Sequence, residues 1–385
     1  MPVRPSGDKL SLPAPEPEAL AVSRALTREI AAEIAESGPL SSERFWQLAL
    51  YHPTLGYYHN GLAKFGAGGD FITAPELGDG LAYCLARWCA PLLAELQTPT
   101  ILEAGAGTGA LAASLLSALD AHGCAPDAYW ILEVSGSLRA RQRETIEERV
   151  PQALERVRWL DGPPNEPWSG VILGNEVVDA LPPRRLTFHE DRWHELVVAL
   201  AEEELVWERG PAIDADLPTE AGQPGYITED VPMLAPWIKA ITENLKRGAL
   251  ALIDYGYTGR EYYHPQRSGG TAIAHYRHRA HDQLLWMPGL QDLSVSVDFS
   301  AVAQALHLAG MTPVGFTSQA QFLLAFGLTD YAAAAGMDGS PQSLATLQEV
   351  KQLTLPSEMG ERFQVLLAQR DLELPPLPVN QLHRL

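Results

Sequence analysis

The sequence is short of cysteine, of positive charge and of long apolar runs. Its three cysteines, Cys84, Cys89 and Cys124, are sparse and odd in number, which argues against a disulfide framework and favours a reducing compartment. No apolar run approaches the ~20 residues of a membrane-spanning helix, and the N-terminal region lacks the apolar core of a secretion signal. We therefore expect a cytoplasmic protein with no membrane span.

Positive charge is scarce along the whole chain. Lys and Arg total 28 residues against 48 Asp and Glu, which leaves a formal net charge of −20. Because contact with phosphates requires a basic face, we expect no nucleic acid partner. The acidic surface could attract a basic protein or peptide, although solubility explains the same charge.

Recognisable metal-binding motifs are also missing. His275, His278 and His281 recur at every third position, but no cysteine pair and no H-E-x-x-H motif lies near them. This stretch therefore favours a polar loop, and we expect no metal site.

The sequence predicts three regions. Residues 1–17 are rich in proline and are predicted to be a disordered tail. Residues 18–98 are predicted to be a helical region with a glycine-rich flap. Residues 99–385 are predicted to be an α/β core, interrupted by inserts at about 183–227 and 257–297.

Strand and helix patterns alternate in the core, as in a parallel α/β sheet. The predicted strands are 100–104, 129–134, 157–160, 170–174 and 249–253, with two closing strands near 311–317 and 362–369. A helical pattern from Leu234 to Leu245 is predicted to end at Gly248. In the first insert 185–188 and 193–200 favour antiparallel strands, whereas the second insert has little periodicity.

The most informative stretch is the first core strand and the turn after it. Glu103 is followed by Gly105, Gly107 and Gly109, and a helical pattern follows. Glycines let a ligand lie close to the backbone, but these also satisfy the dinucleotide pattern G-x-G-x-x-[GA]. A turn without a ligand is a third reading.

The charge of Glu103 favours S-adenosyl-L-methionine (SAM) over a dinucleotide. A carboxylate ~4 Å from a pyrophosphate would cost roughly 4 kcal/mol at an effective dielectric of about 20. The ammonium and sulfonium of SAM would instead be attracted. We therefore expect SAM at this turn.

Polar residues end every predicted parallel strand, at the edge where open sheets bind ligands. They are Glu103, Glu133, Asp161, Asn175 with Glu176, and Asp254. Glu133 could accept hydrogen bonds from the ribose hydroxyls, Asp161 could meet the adenine edge, and Glu103 could meet the ammonium. Each acid alone could also be a helix cap.

The segment Asn175–Pro182 suggests an acceptor site. Glu176 and Asp179 are three residues apart, so on a helical turn they would share a face. Two carboxylates in one pocket suit a guanidinium, whose planar donors match them. An exposed loop-to-helix cap is the alternative.

The glycine-rich stretch Gly66–Glu76 has the composition of a flap, or only of a connector. Asp70 is a third catalytic candidate. Gly69, Thr73 and Pro75 are candidate cofactor contacts.

These segments together resemble the MidA-like family of SAM-dependent methyltransferases, which includes the mitochondrial complex I assembly factor that methylates an arginine. The matching segments are Gly56–Tyr58, Gly69–Glu76, Glu103–Gly109, Asn175–Pro182, Asp254–Gly256, Pro288–Leu293 and Val297–Phe299.

The resemblance implies a class I SAM-dependent methyltransferase fold. This is a Rossmann-like seven-stranded sheet with a reversed final hairpin, here with an N-terminal helical segment and inserted α+β elements. It also implies SAM as cofactor and arginine on a protein acceptor, with a respiratory complex subunit as one candidate.

The sequence does not fix the acceptor, the reaction or the assembly. No import signal is evident, so we expect a bacterial, cytoplasmic protein whose acceptor can differ from the mitochondrial one. An NAD-dependent oxidoreductase and a non-catalytic assembly factor that retains the fold are the alternative functions. The sequence also leaves a homodimer open.

Overall fold

The computed structural model describes residues 12–61, 73–215, 217–218, 222–336 and 338–385. Gly69, Asp70 and the first part of the flap lie outside the described residues, as do residues 1–11 of the predicted tail.

The helices are α1 (Pro17–Ser37), α2 (Ser42–Tyr51), α3 (Ala74–Leu77), α4 (Gly80–Ala94), α5 (Ala110–Ala121), α6 (Gly136–Arg149), α7 (Leu234–Thr242), α8 (Gly259–Tyr262), α9 (Phe299–Leu308), α10 (Gln319–Ala325), α11 (Leu328–Ala334) and α12 (Pro341–Thr354).

The strands are β1 (Leu40–Ser41), β2 (Thr100–Ala104), β3 (Ala128–Leu132), β4 (Val157–Leu160), β5 (Trp168–Asn175), β6 (Arg184–His189), β7 (Arg192–Ala201), β8 (Glu204–Ile213), β9 (Ile227–Asp230), β10 (Leu245–Tyr257), β11 (Ile273–Tyr276), β12 (Arg279–His281), β13 (Asp292–Ser294), β14 (Val297–Asp298), β15 (Thr312–Ser318) and β16 (Phe363–Arg370).

The chain divides into two compact units. The first unit combines Met1–Phe71, Asp179–Met233 and Gly259–Ser296, and the second unit combines Ile72–Val178, Leu234–Thr258 and Val297–Leu385. The division at residue 99 that the sequence suggests stays a prediction.

The second unit is built on one sheet with the strand order β15-β16-β10-β5-β2-β3-β4, and β14 pairs with the end of β10. Strands β4, β3, β2, β5 and β10 are parallel, whereas β16 is antiparallel to both β10 and β15. The reversed final hairpin and the class I methyltransferase fold predicted from the sequence are confirmed.

The hydrophobic core of the second unit is formed by the sheet and the helices packed against it. All five residues of β2 are buried, as expected for a central parallel strand covered on both faces. One sheet face packs against apolar residues of α4 and α5, among them Leu85, Trp88 and Leu115. Because the parallel strands point the same way, the residues after β2, β3, β4, β5 and β10 share one rim of the sheet, which we call the carboxyl edge.

Two local expectations were wrong. The helix that begins at Leu234 ends at Thr242, and Gly248 lies inside β10 in register with Gly170 rather than ending a helix. The segment after β5 forms no helical turn, because Glu176 has a left-handed backbone with φ 52°. Glu176 and Asp179 therefore do not share a helical face.

The first unit contains two antiparallel sheets. Strand β7 pairs with β6, β8 and β1, and β9 pairs with β6. In the second insert, β11 pairs with β12 and β13, a sheet that the weak periodicity did not predict. Apolar residues of α1 and α2, such as Leu26, Phe45 and Trp46, form the core of this unit.

Candidate functional site

The turn between β2 and α5 has the backbone that its glycines permit. Gly105, Gly107 and Gly109 have φ values of 69°, 51° and 84°, a region that side chains with a Cβ rarely adopt. A Cβ on Gly109 would also lie 2.9 Å from Gln142 Cα, whereas one on Gly107 would meet nothing within 4 Å. Gly107 therefore presents bare backbone to open space.

Glu103 lies at the end of β2 with 2% of its surface exposed. The Tyr129 hydroxyl on β3 donates a 2.6 Å hydrogen bond to Glu103 Oε2. Burial raises the pKa of Glu103 to about 7, against the lowering effect of that hydrogen bond, and the neighbouring Glu133 raises it further. A cation beside this carboxyl group would favour its ionised form.

Glu133 follows β3 and is 7% exposed. Its Oε1 accepts a 2.8 Å hydrogen bond from the Ser135 backbone N–H, and its Oε2 accepts one of 3.1 Å from Gln142 Nε2. Burial raises its pKa, while these hydrogen bonds lower it. The carboxylate is thus held in one orientation, with lone pairs left for a ligand.

Gln142 joins this acid to the glycine turn. Its Nε2 also donates to the Gly107 carbonyl at 3.0 Å, and its Oε1 accepts from Trp159 Nε1 at 2.9 Å. Gln142 was not among the site residues predicted from the sequence. The available signal was its place four residues before Ile146, on the buried face of α6.

Asp161 is exposed, whereas Glu103 and Glu133 are buried. Its side chain is 96% exposed and forms a 2.7 Å ion pair with Arg139. Arg139 also donates to the Glu133 and Leu160 carbonyls, both at 2.7 Å, and so links the ends of β3 and β4. Asp161 therefore sits at the carboxyl edge, beside open solvent.

Asn175 and Glu176 end β5 at the same edge. Asn175 Nδ2 donates a 3.1 Å hydrogen bond to Glu176 Oε1, which also accepts one of 3.4 Å from the Ala74 backbone N–H. Asn175 Oδ1 is buried and has no hydrogen-bond partner among the described residues. Burying an amide oxygen without a hydrogen-bond donor costs free energy, so this atom is suited to accept a hydrogen bond from a ligand.

Two predicted cofactor contacts lie beside Glu176. Thr73 is the N-cap of α3 and forms a capping box with Glu76, and Pro75 occupies the first turn of that helix. Asp254, which ends the parallel stretch of β10, is 1% exposed and accepts the Val178 backbone N–H at 3.0 Å.

Asp179 belongs to the first unit. It is 7% exposed, and its carbonyl accepts the Val295 backbone N–H at 3.0 Å. Tyr58 lies near it and donates a 2.9 Å hydrogen bond to Asp292. Burial raises the pKa of Tyr58 well above its ordinary value, and the charges of Asp292 and Asp179 add to that shift.

Known proteins share this fold over most of the chain. A family described as S-adenosyl-L-methionine-dependent methyltransferases matches residues 84–317, more than half of the sequence. A crystal structure from Burkholderia thailandensis, bound to S-adenosyl-homocysteine, is 41% identical with a TM-score of 0.92, and the match covers 97% of this chain and 100% of that one.

Curated relatives are more distant. The mitochondrial protein arginine methyltransferase NDUFAF7 of Danio rerio is 25% identical, over 89% of this chain and 86% of its own. Its counterpart in Bos taurus is 27% identical, over 89% of this chain and 82% of its own.

A mostly parallel sheet that ends in a reversed hairpin, with a glycine turn after a central strand, is the class I methyltransferase fold. The chain belongs to the S-adenosyl-L-methionine-dependent methyltransferase family described above and is a SAM-dependent methyltransferase. Among the described residues, no helix has both the length and the apolar character needed to cross a membrane.

The residues at the turn fit this cofactor. Glu103 and Glu133 place two buried carboxyl groups near the bare backbone of Gly107. A pyrophosphate would be repelled by such carboxylates, whereas an ammonium and ribose hydroxyls complement them. The NAD-dependent alternative therefore does not fit these residues, and SAM is the cofactor.

Proposed function

We propose that this enzyme methylates arginine on a protein acceptor. The observation that carries the proposal is Glu176, a carboxylate held at the carboxyl edge by Asn175 and by the Ala74 amide. A fixed carboxylate is suited to a planar guanidinium, which it can bind through two parallel hydrogen bonds. The names of the curated relatives agree with this substrate class.

The proposed cofactor contacts follow from the side chains at the turn. Glu103 binds the ammonium, Glu133 binds the ribose hydroxyls, and Asp161 with its neighbours meets the adenine edge. The three glycines of the turn allow close approach. Asn175 Oδ1 accepts a hydrogen bond from one further donor of the cofactor.

Contacts from the flap complete the proposed cofactor site. Thr73 and Pro75 line it at the start of α3, and Gly69 is assigned to it from the sequence alone. Val134, which is 65% exposed directly after Glu133, offers an apolar surface for the adenine ring.

The proposed acceptor contacts begin with Glu176, and the sequence adds Asp179 and Asp70. Tyr255 and Phe363 form an aromatic pair near the end of β5. The Glu176 backbone N–H donates to the Ile253 carbonyl, which lies two residues before Tyr255 on β10. Tyr255 and Phe363 have ring centroids 5.7 Å apart in an edge-on arrangement. Aromatic faces attract a delocalised cation, so we propose this pair as a further contact for the guanidinium.

Bound SAM supplies an electrophilic methyl group on a sulfonium. A guanidinium nitrogen forms the new N–C bond, the methyl–sulfur bond breaks to leave S-adenosylhomocysteine, and one proton passes from the nitrogen to solvent. Glu176 orients the guanidinium and offsets its charge. Because the displacement is in line, positioning supplies much of the rate increase.

The proposal extends to the organism, the compartment and the acceptor. We propose a bacterial enzyme, as the organism of the Burkholderia relative suggests. We also propose that it is cytoplasmic, a location that differs from the mitochondrial one in the names of the curated relatives. The acceptor is a basic protein or peptide, with a respiratory complex subunit as one candidate. The homodimer stays a prediction.

The test is methyl transfer from labelled SAM to proteins of the host lysate, followed by mapping of the labelled residue. We expect label on arginine and its loss in the Glu176→Gln variant. Label on a small molecule or on another residue type would overturn the proposal. Transfer that survives Glu176→Gln would remove Glu176 from the mechanism.

Two alternatives are tested by binding and complementation. Calorimetry compares S-adenosylhomocysteine with NADH, and tight binding of NADH alone would favour an oxidoreductase. A non-catalytic assembly factor predicts that Glu176→Gln restores growth or assembly in a deletion strain as well as the wild type does.

A further inference from the structure

A buried acid far along the chain holds the turn between α3 and α4. Glu349 on α12 is 3% exposed. Its Oε1 accepts a 2.6 Å hydrogen bond from the Gly80 backbone N–H, and its Oε2 accepts one of 2.8 Å from the Tyr331 hydroxyl. Gly80 begins α4, so the carboxylate meets the positive end of that helix.

Gly78 shows how closely Glu349 packs on this turn. Its φ is 166°, extended backbone that any residue adopts, so the backbone does not require glycine here. A Cβ at this position would overlap the Glu349 carboxylate. Residue 78 therefore lacks a side chain because the carboxylate occupies that space.

Asp79 links the same turn to two further helices. Its Oδ1 accepts hydrogen bonds from Ser114 Oγ at 2.6 Å and from Arg149 Nη2 at 2.8 Å. Ser114 lies on α5, which begins directly after the glycine turn. Arg149 ends α6, the helix that carries Gln142. Residues 78–80 are thus fixed to both helices that contact the cofactor turn.

On its other side, the turn leads into α3 and the carboxyl edge. Helix α3 has four residues, and Ala74 at its start donates to Glu176 Oε1 at 3.4 Å. Only Gly78 and Asp79 separate α3 from α4. A short helix between two fixed ends cannot shift at one end without moving the other.

We propose that Glu349 is a positioning residue for the methyl-transfer site. It holds residues 78–80 so that α3 keeps Thr73, Ala74 and Pro75 in place beside Glu176. This inference rests on the proposed roles of Glu176 and of the contacts on α3.

The test measures binding of S-adenosylhomocysteine by calorimetry, with thermal unfolding recorded for each variant. We expect Glu349→Ala to weaken binding about tenfold, since small displacements in a binding site lose contacts. Glu349→Gln keeps the shape and an acceptor for the Gly80 N–H, so it should restore most of the affinity.

Gly78→Ala tests the same contact without changing a charge. Alone, it should weaken binding about as much as Glu349→Ala, because the new Cβ displaces the carboxylate. In the Glu349→Ala background it should add little, because the space is then free. Such non-additivity is the signature of two residues that act through one contact.

The control is Glu229→Gln. Glu229 is another buried acid, 1% exposed, which is paired with Arg185 at 3.0 Å and lies in the first unit. We expect it to lower the melting temperature without changing the affinity. If Glu349→Ala and Gly78→Ala also lower only the melting temperature, the positioning role is wrong while the methyltransferase proposal stands. If the wild type itself does not bind S-adenosylhomocysteine, both proposals fail.

Discussion

Glu103 gives the cofactor site a dependence on pH. Its pKa in the folded protein is about 7, raised by burial from the ordinary value of 4.5. Its contribution to the stability of the unliganded protein is fully present below about pH 4.5 and is lost as pH rises through about 7. The ligand ammonium favours the ionised carboxylate, so the pKa is lower in the complex than in the free protein.

We therefore expect tighter binding at higher pH. Affinity for S-adenosylhomocysteine should rise about tenfold between roughly pH 6 and roughly pH 8, because the proton on Glu103 is displaced on binding. Calorimetry in buffers of different ionisation enthalpy measures both the affinity and the released proton. A flat profile, with no proton released, would contradict a contact between Glu103 and the ammonium.

Tyr129 supplies a control for that profile. The Tyr129→Phe variant removes the hydrogen bond that lowers the pKa of Glu103, so the midpoint should move to higher pH. Glu103→Gln has no titrating carboxyl group and should bind weakly with no such dependence.

Glu133 supports a second prediction at this scale. Glu133→Ala removes a carboxylate proposed to accept from both ribose hydroxyls, and hydrogen bonds to charged groups are worth about 1.5–3 kcal/mol each. We expect affinity for S-adenosylhomocysteine to fall at least about a hundredfold. Asp120→Asn, which breaks an ion pair with Arg156 at 2.7 Å, is the matched control and should leave binding unchanged. Equal losses in the two variants would argue against the ribose contact.

At the scale of the element, the glycine turn separates strain from ligand contact. Gly107 and Gly123 have φ values of 51° and 67°, and at each a Cβ would meet nothing within 4 Å. Alanine should therefore destabilise both positions by a similar ~1 kcal/mol, the cost of a left-handed backbone. Only Gly107→Ala should abolish binding of S-adenosylhomocysteine, because its Cβ would occupy space meant for the ligand. Chemical denaturation and calorimetry on both variants measure the two effects.

If Gly107→Ala binds as well as Gly123→Ala, the ligand does not approach the backbone at that residue, and the turn is only a tight connection. If Gly107→Ala instead loses more stability than Gly123→Ala, the added Cβ at residue 107 meets neighbouring atoms in solution.

The elements that the sequence predicted well are those with long patterns. Strand β2 was expected at 100–104 and lies at Thr100–Ala104, because its apolar run is bounded by a proline and by the glycine turn. The prediction of a helical turn at Glu176 was wrong, because no sequence signal indicates a left-handed backbone at a glutamate. The bond from Tyr129 to Glu103 depends on the register between two strands, which no single strand encodes.

At the scale of the whole molecule, the second insert was the least predictable, whereas the antiparallel strands expected in the first insert are present as β6 and β7. Strands β11, β12 and β13 have three or four residues each, too few for an alternating pattern to stand out. Residues 1–61, 179–233 and 259–296 are distant in sequence, and only the folded chain brings their described parts into one unit. Glu349 likewise lies more than 260 residues from the glycine it contacts, so its link to the turn could not be predicted.

The net charge of the whole chain gives the last prediction. At −20, the enzyme should attract a basic protein acceptor over a distance that salt shortens, with a Debye length of about 10 Å at 0.1 M. Raising the salt from low concentration to roughly 0.2 M should slow labelling of the lysate acceptor several-fold through its association rate. Binding of S-adenosylhomocysteine, a small ligand held by local contacts, should change much less over the same range. If the labelling rate and the binding of S-adenosylhomocysteine depend equally on salt, the charge acts on the cofactor site and not on acceptor capture. If labelling does not depend on salt, the acceptor has no basic surface.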